Sequence, residues 1–130
     1  MKDITERWLV FVDNDLNLVR AIVTDLKHKE VVVFHLQQAL EKIIKAYIQE
    51  IKDIEPPKIH NLSTLIDISS LNLNNDDLIL LQDLNRLYVE SRYPDNIKEL
   101  EDYLTKEKIE ELYNFTERLV LWIRNKLSSK

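Results

Sequence analysis

Phe34-His35-Leu36-Gln37-Gln38-Ala39-Leu40-Glu41-Lys42-Ile43-Ile44-Lys45-Ala46-Tyr47 is the stretch on which the fold of this chain turns. Its apolar residues recur at intervals of three and four, the period of a helix, and no part of the chain alternates with a period of two for long. At about 100° per residue, Leu36, Leu40, Ile43 and Tyr47 share one face, with Ile54 further along it. His35, Gln38, Lys42, Lys45 and Gln49 share an adjoining stripe about 80° wide, and Ala39 and Ala46 lie between the two. Small residues there let another helix approach closely and set the polar stripe beside a groove. For Lys45 and Gln49 the simpler expectation is a solvated face. For His35 and Gln38, early in the helix beside Phe34, solvation stands level with partial burial, which would demand hydrogen-bond partners.

Working outward, this helix spans about Val31 to Ile54, because Pro56-Pro57 forbids its continuation. A first helix is expected from about Ile4 to Leu26, with Ile4, Trp8, Val12, Val19, Ile22 and Leu26 on one stripe. Asn61 is placed to cap a short helix over Leu62 to Ile68, burying Leu62, Leu65 and Ile66. Asn75 is the expected cap of the next, with Asp76 and Asp77 in the favourable first turn and an end near Tyr93, before Pro94. Thr105 opens the last helix, which buries Ile109, Leu112, Thr116, Leu119, Ile123 and then Lys126 or Leu127. The expectation is an all-α antiparallel, up-down bundle of four long helices plus one short helix, forming a single domain over residues 1–130.

Composition narrows the chemistry by exclusion. The 130 residues contain no glycine, so a glycine-rich phosphate loop, a dinucleotide fingerprint and a nucleophile elbow are all ruled out. There is no cysteine either, which removes disulfides, thiolate catalysis and cysteine-ligated zinc and suits a reducing cytoplasmic location. Apolar runs such as Leu119-Val120-Leu121-Trp122-Ile123 are far too short to span a membrane, and the N-terminus carries no apolar signal core. A formal net charge of −5 argues against nonspecific coating of nucleic acid, while leaving room for a local basic cleft.

Two residues break the pattern. Asp15 points into the apolar stripe of the first helix, between Trp8, Val12, Val19 and Ile22. A buried carboxylate needs a cation or several donors, and Arg92, Lys42 and His35 are the candidates, Arg92 first. Arg92 follows Asn85 by seven residues on one edge of its helix and precedes Tyr93-Pro94-Asp95. Its planar fork suits a phosphate, although a structural ion pair or a cap is the commoner fate of such an arginine. On the same helix Leu80, Leu84, Leu87 and Tyr88 define the buried face, whereas Gln82, Asp83, Arg86 and Glu90 point to solvent. Asp25-Leu26-Lys27-His28 imitates half of a bundle metal motif, but the second half is missing, so no metal or other cofactor is expected.

The quoted helix, the later Pro57-Lys58-Ile59-His60-Asn61-Leu62, Tyr88 and Ser91-Arg92-Tyr93-Pro94-Asp95 come in an order and at a spacing that resemble the HEPN family. The resemblance runs from the region of Trp8 and Asp15-Leu16 to Asp95; the last helix matches in character only. It implies a helical bundle that dimerises, encoded beside or fused to a minimal nucleotidyltransferase, including toxin–antitoxin pairs. Some members are metal-independent ribonucleases and others are thought to bind nucleotides. Ribonuclease members carry a histidine after four to six residues beyond an arginine; beyond Arg92 the corresponding positions are Ile97, Lys98 and Glu99. The general acid/base is therefore missing from its expected place, and no catalytic residue is assigned.

The leading reading is thus a noncatalytic module that binds a nucleotide or a nucleotidyltransferase partner through Asp15, His35, Gln38, Lys42, Arg92 and Tyr93. Its rivals are a divergent ribonuclease with a displaced histidine, His35 or His60, and a purely structural homodimer whose interface is the polar stripe.

Overall fold

The computed structural model describes residues 1–129. Long helices α1 (Asp3–Ile22), α2 (Lys29–Tyr47), α4 (Asn75–Glu90) and α6 (Lys106–Ser128) are accompanied by two short ones, α3 (Leu62–Ser69) and α5 (Ile97–Tyr103). The all-α expectation holds, and the short helices number two rather than one. Cross-helix pairs set the directions. Asp13 meets Arg124 while Arg20 meets Glu117, so α1 and α6 run antiparallel. Asp77 meets Arg118 while Asp83 meets Lys108, so α4 and α6 do too. Lys2 reaches Gln49 and Asp53 while Asp15 reaches His35 and Lys42, which makes α1 antiparallel to α2.

α2 is the central element, packed against α1, α3, α4 and α6. Val32, Val33, Leu36, Ala39, Leu40, Ile43, Ile44 and Ala46 are all buried in it. Being covered on several sides explains why its apolar arc is so wide. Ala39 and Ala46 are used up by this packing, with nothing left over for an external surface. α1 likewise meets both α2 and α6, so Leu16 is buried beside the anticipated Val12 and Val19. Ile4 and Leu26, expected on the same stripe, are exposed.

Helix ends follow local chemistry. α1 stops at Ile22 rather than Leu26, because the Asp25 carboxylate accepts from the Lys27 amide and caps a 3-10 turn at Leu26–His28. α2 widens into a π turn over Ile48–Lys52 and ends at Asp53, which takes the left-handed conformation at φ 56°. Ile54 lies beyond it and is exposed. Ser70 closes α3 in the same way at φ 62°. A chain without glycine must reverse on such residues, at roughly 1–2 kcal/mol each. Asn61 and Thr105 cap α3 and α6 as expected, accepting from the amides of Thr64 and Lys108. The cap of α4 is Asn74, whose Oδ1 accepts from the Asp77 amide, and not Asn75.

The largest departure is between Glu90 and Thr105. α4 ends at Glu90, Pro94 starts a 3-10 turn, and α5 follows. α5 buries only Leu100, too little apolar spacing to announce a helix. A polar clamp fastens it instead. Asp83 accepts from Tyr103 Oη at 2.7 Å, from Lys108 Nζ at 2.7 Å and from Arg86 at 2.8 Å, while both cations flank the Tyr103 ring. Asp83 and Arg86 are therefore joined to α5 and α6, not merely solvated. Leu81 replaces Leu80 as the buried leucine of that turn, and Leu80 is half-buried. In α6 the expected face is buried, with Leu127 rather than Lys126 at its end and Phe115 and Val120 added.

Burial opposes ionisation of Asp83, yet the bonds from Lys108, Tyr103 and Arg86 outweigh it and hold this carboxyl below its ordinary value. Burial likewise opposes the Lys108 charge, but Asp83 and Glu111 raise its pKa overall. A depressed acid stabilises the fold fully above the unfolded carboxylate pKa of about 4, and this contribution is lost as pH falls through the folded value. Asp83→Asn should therefore flatten the acid limb of a stability–pH curve below about pH 4, as read by urea denaturation from pH 2 to 7. In the same assay Leu40→Ala should cost about 2–5 kcal/mol, and exposed Ile79→Ala less than about 0.5 kcal/mol.

Candidate functional site

The polar stripe of α2 is only partly a solvated face. Asp15 retains 7% exposure. It is satisfied from two positions of α2 one helical repeat apart: His35 Nδ1 donates to Oδ1 at 2.8 Å, and Lys42 Nζ donates to Oδ2 at 2.7 Å. Burial of Asp15 and its bonding to a basic partner hold; Arg92 as that partner does not. One carboxylate held by a lysine and a histidine fixes the register of α1 on α2, and His35 Nε2 is left as the free polar edge of its ring.

Aromatic rings continue the cluster on both sides. Lys42 Nζ lies 5.5 Å from the centroid of exposed Phe11. Phe34 stands edge-on to His35 at 5.0 Å and tilts against Tyr88 at 5.7 Å. Tyr88 carries Arg92, whose guanidinium is 5.4 Å from the ring and donates weakly to its Oη at 3.5 Å. Phe11, Lys42, Asp15, His35, Phe34, Tyr88 and Arg92 therefore form one connected face across α1, α2 and α4.

Arg92 differs from most of the other arginines, Arg7 on α1 being likewise exposed without a carboxylate among the described residues. Arg20, Arg86, Arg118 and Arg124 are each held by a carboxylate, whereas among the described residues no carboxylate pairs with the exposed Arg92. Tyr93 is 59% exposed on the adjoining turn, and no side-chain contact among the described residues ties it to the cluster. Gln38 is half-buried and donates to Gln37 Oε1 at 2.8 Å. Asp15, His35 and Lys42 are thus brought together, Gln38 and Arg92 border them, and Tyr93 stands apart.

Behind Gln38 lies a second network. Glu41, 4% exposed, accepts from Lys45 Nζ at 3.0 Å, from Gln37 at 3.2 Å and from His60 Nδ1 at 3.0 Å. Lys45 retains 5% exposure, so the solvated reading of this lysine is corrected. Its four-residue spacing from Glu41 lets the pair be buried as a unit, with the ammonium 5.8 Å from the Trp8 ring. Gln49, expected in solvent, is half-buried where the N-terminal Lys2 folds over it. Glu41 and Gln37 were hidden in the sequence because single residues on the apolar side of a helix read as interruptions. The Glu41/Lys45 spacing was the available signal.

A model of the HEPN domain matches residues 8–126. The chain belongs to the HEPN domain family. Among solved structures it is similar to ST0689, described as an archaeal HEPN homologue, with 29% identity, a TM-score of 0.74, and 98% of this chain and 99% of that one covered. No curated protein matches the chain. Relative to the ribonuclease pattern, this HEPN chain has Ile97, Lys98 and Glu99 on α5, where the histidine would stand. Among the described residues no three histidine or acidic side chains are arranged to hold a metal ion, and no helix is long and apolar enough to cross a membrane. A separate cleft of about 410 Å³, lined by Asn74, Asp77, Arg118 and Trp122, has its arginine already committed to Asp77 through both guanidinium nitrogens.

Asp15→Asn leaves the Lys42 ammonium and the His35 ring facing a neutral amide. Since His35 and Lys42 keep about a fifth of their exposure, the cost should lie between that of an exposed and a fully buried pair. About 2 kcal/mol is expected in chemical denaturation, with Lys42→Met costing at least as much because the buried Asp15 carboxylate keeps only His35.

Proposed function

We propose that this HEPN protein is a noncatalytic module that binds a nucleotide on the α2 face, as one half of a two-component, toxin–antitoxin-like pair with a minimal nucleotidyltransferase. The observation that carries the reading is Arg92. Its fork is exposed, rests on Tyr88 and has no described carboxylate to neutralise it. Phosphate oxygens take such a fork in a bidentate manner. Phe34 and Tyr88 beside it supply aromatic surface for a base, and Lys42 and His35 supply further donors.

The face is shallow, and a small ligand is held well only when most of its surface is covered. A second protomer or the nucleotidyltransferase is the natural cover. We therefore read the protein as a homodimer that uses the exposed Phe11, Leu18 and Phe34. The apolar arc and small residues of α2 give no grounds for dimerisation, since they are buried within the chain. A cytoplasmic location accords with the absence of cysteine.

One observation favours the divergent ribonuclease as second reading. Asp15 holds His35 at Nδ1 and leaves Nε2 outward, the arrangement by which a carboxylate orients a proton-transferring imidazole. Arg92 would then stabilise the phosphate. A purely structural dimer is the remaining alternative, with the same residues serving only as an interface.

Arg92→Ala should abolish nucleotide binding in calorimetry while leaving the far-ultraviolet circular dichroism unchanged, and Arg92→Lys should restore it only in part. The purified protein should not cleave RNA above background. Metal-independent cleavage that disappears in His35→Ala would put the ribonuclease first. No binding of nucleotide, RNA or nucleotidyltransferase would favour the structural dimer.

A further inference from the structure

We infer that His60 is a second ligand-binding imidazole of the nucleotide site, set on the α3 side of the α2 face by the buried Glu41. The inference rests on the nucleotide reading above and assigns a residue which that reading left out. His60 precedes the Asn61 cap of α3, where a surface histidine needs no partner. Its ring is nonetheless fixed: Nδ1 donates to the Glu41 carboxylate, 3.0 Å from one oxygen and 3.1 Å from the other. Its backbone carbonyl accepts from Gln37 Nε2 at 2.9 Å. Two anchors on one buried network hold both the main chain and the ring of a residue whose side chain stays 62% exposed.

The anchoring has a direction. With Nδ1 turned inward to Glu41, Nε2 is the only polar ring atom left for solvent or a ligand. Gln37, which holds the His60 carbonyl, also accepts from Gln38, and Gln38 lies on the polar stripe between His35 and Lys42. His60 therefore stands at the edge of the same face, with α1 and Asp15 on one side of α2 and α3 on the other. Asn85 Oδ1 accepts from the Leu62 amide at 2.9 Å, which ties the start of α3 to the helix that carries Tyr88 and Arg92.

His35 and His60 thus repeat one device. Each is held at Nδ1 by a carboxylate at least nine-tenths buried, and each leaves Nε2 free. A carboxylate on the far nitrogen fixes ring orientation, so little freedom is lost when the doubly protonated ring donates Nε2–H to an anion. The charges also favour an anion. Asp15 offsets the Lys42 charge and Glu41 that of Lys45, which leaves the Arg92 fork unpaired and the Nε2 positions of the two imidazoles open to a ligand. Donors flanking the stripe on both sides suit an anion with more than one phosphate, and a nucleoside triphosphate is the class the site would take.

The test titrates the full chain with ATP, following the binding heat and, in parallel, the imidazole resonances of a histidine-labelled sample. His60→Ala leaves Glu41 with Lys45 and Gln37 as donors, and thermal denaturation verifies that the fold is retained. Loss of one charge-assisted hydrogen bond should weaken ATP binding about tenfold, and the His60 resonances should shift on titration of the wild type. His60→Gln, which keeps a polar group near Glu41 but loses the ring geometry, should recover only part of the affinity. If ATP binds and Arg92→Ala abolishes binding, while His60 resonances stay put and His60→Ala binds like wild type, the His60 assignment is overturned and the nucleotide site stands. If the wild type does not bind ATP, both fall.

Discussion

Everything on the open face of this protein follows from having to satisfy one buried carboxylate. Asp15 sits where α1 presses against α2, and an unpaired charge there would cost several kcal/mol. His35 and Lys42 meet that demand from positions seven residues apart on α2, on the same side of the helix. Their commitment aligns α1 with α2, turns His35 Nε2 outward and brings Lys42 alongside Phe11. A requirement of folding thereby produces an ordered row of polar groups at the surface, which is where a binding site can form.

Glu41 repeats the arrangement one turn away and deeper. Its partners Lys45, Gln37 and His60 belong to two different elements, so the carboxylate fastens the loop before α3 to the central helix. Buried networks of this kind contribute little net stability compared with apolar packing but are costly to break, and they fix one geometry. In this protein that geometry covers most of one face of α2. The clamp of Asp83, Tyr103, Arg86 and Lys108 plays the corresponding part for α5, beyond the turn that carries Arg92.

Much of this was legible in the sequence, for physical reasons that can be named. The caps at Asn61 and Thr105 and the buried face of α6 depend on local side-chain chemistry and on a single dominant packing direction. Asp15 stood out because a charge inside an apolar stripe is never neutral information, and two of its three candidate partners are the ones it uses. Arg92 as the first choice failed because spacing along one helix says nothing of which helix faces it. α5 was missed because one buried leucine makes no period. The burial of Lys45 was missed because a lysine reads as solvated until its glutamate, four residues back, is seen to be buried with it. Membership of the HEPN family was legible from short motifs in order, and the absence of the ribonuclease histidine from its place on α5 is equally plain.

The central claim is that the face built around Asp15 is a nucleotide site anchored by Arg92. Backbone amide chemical-shift mapping of the isotopically labelled chain with ATP tests it most directly, because every element reports at once. The account predicts that the largest shifts fall at Phe34, His35, Gln38, Lys42, Tyr88 and Arg92. Shifts gathered instead around Trp122 and Arg118, or no shifts at millimolar ATP, would contradict it.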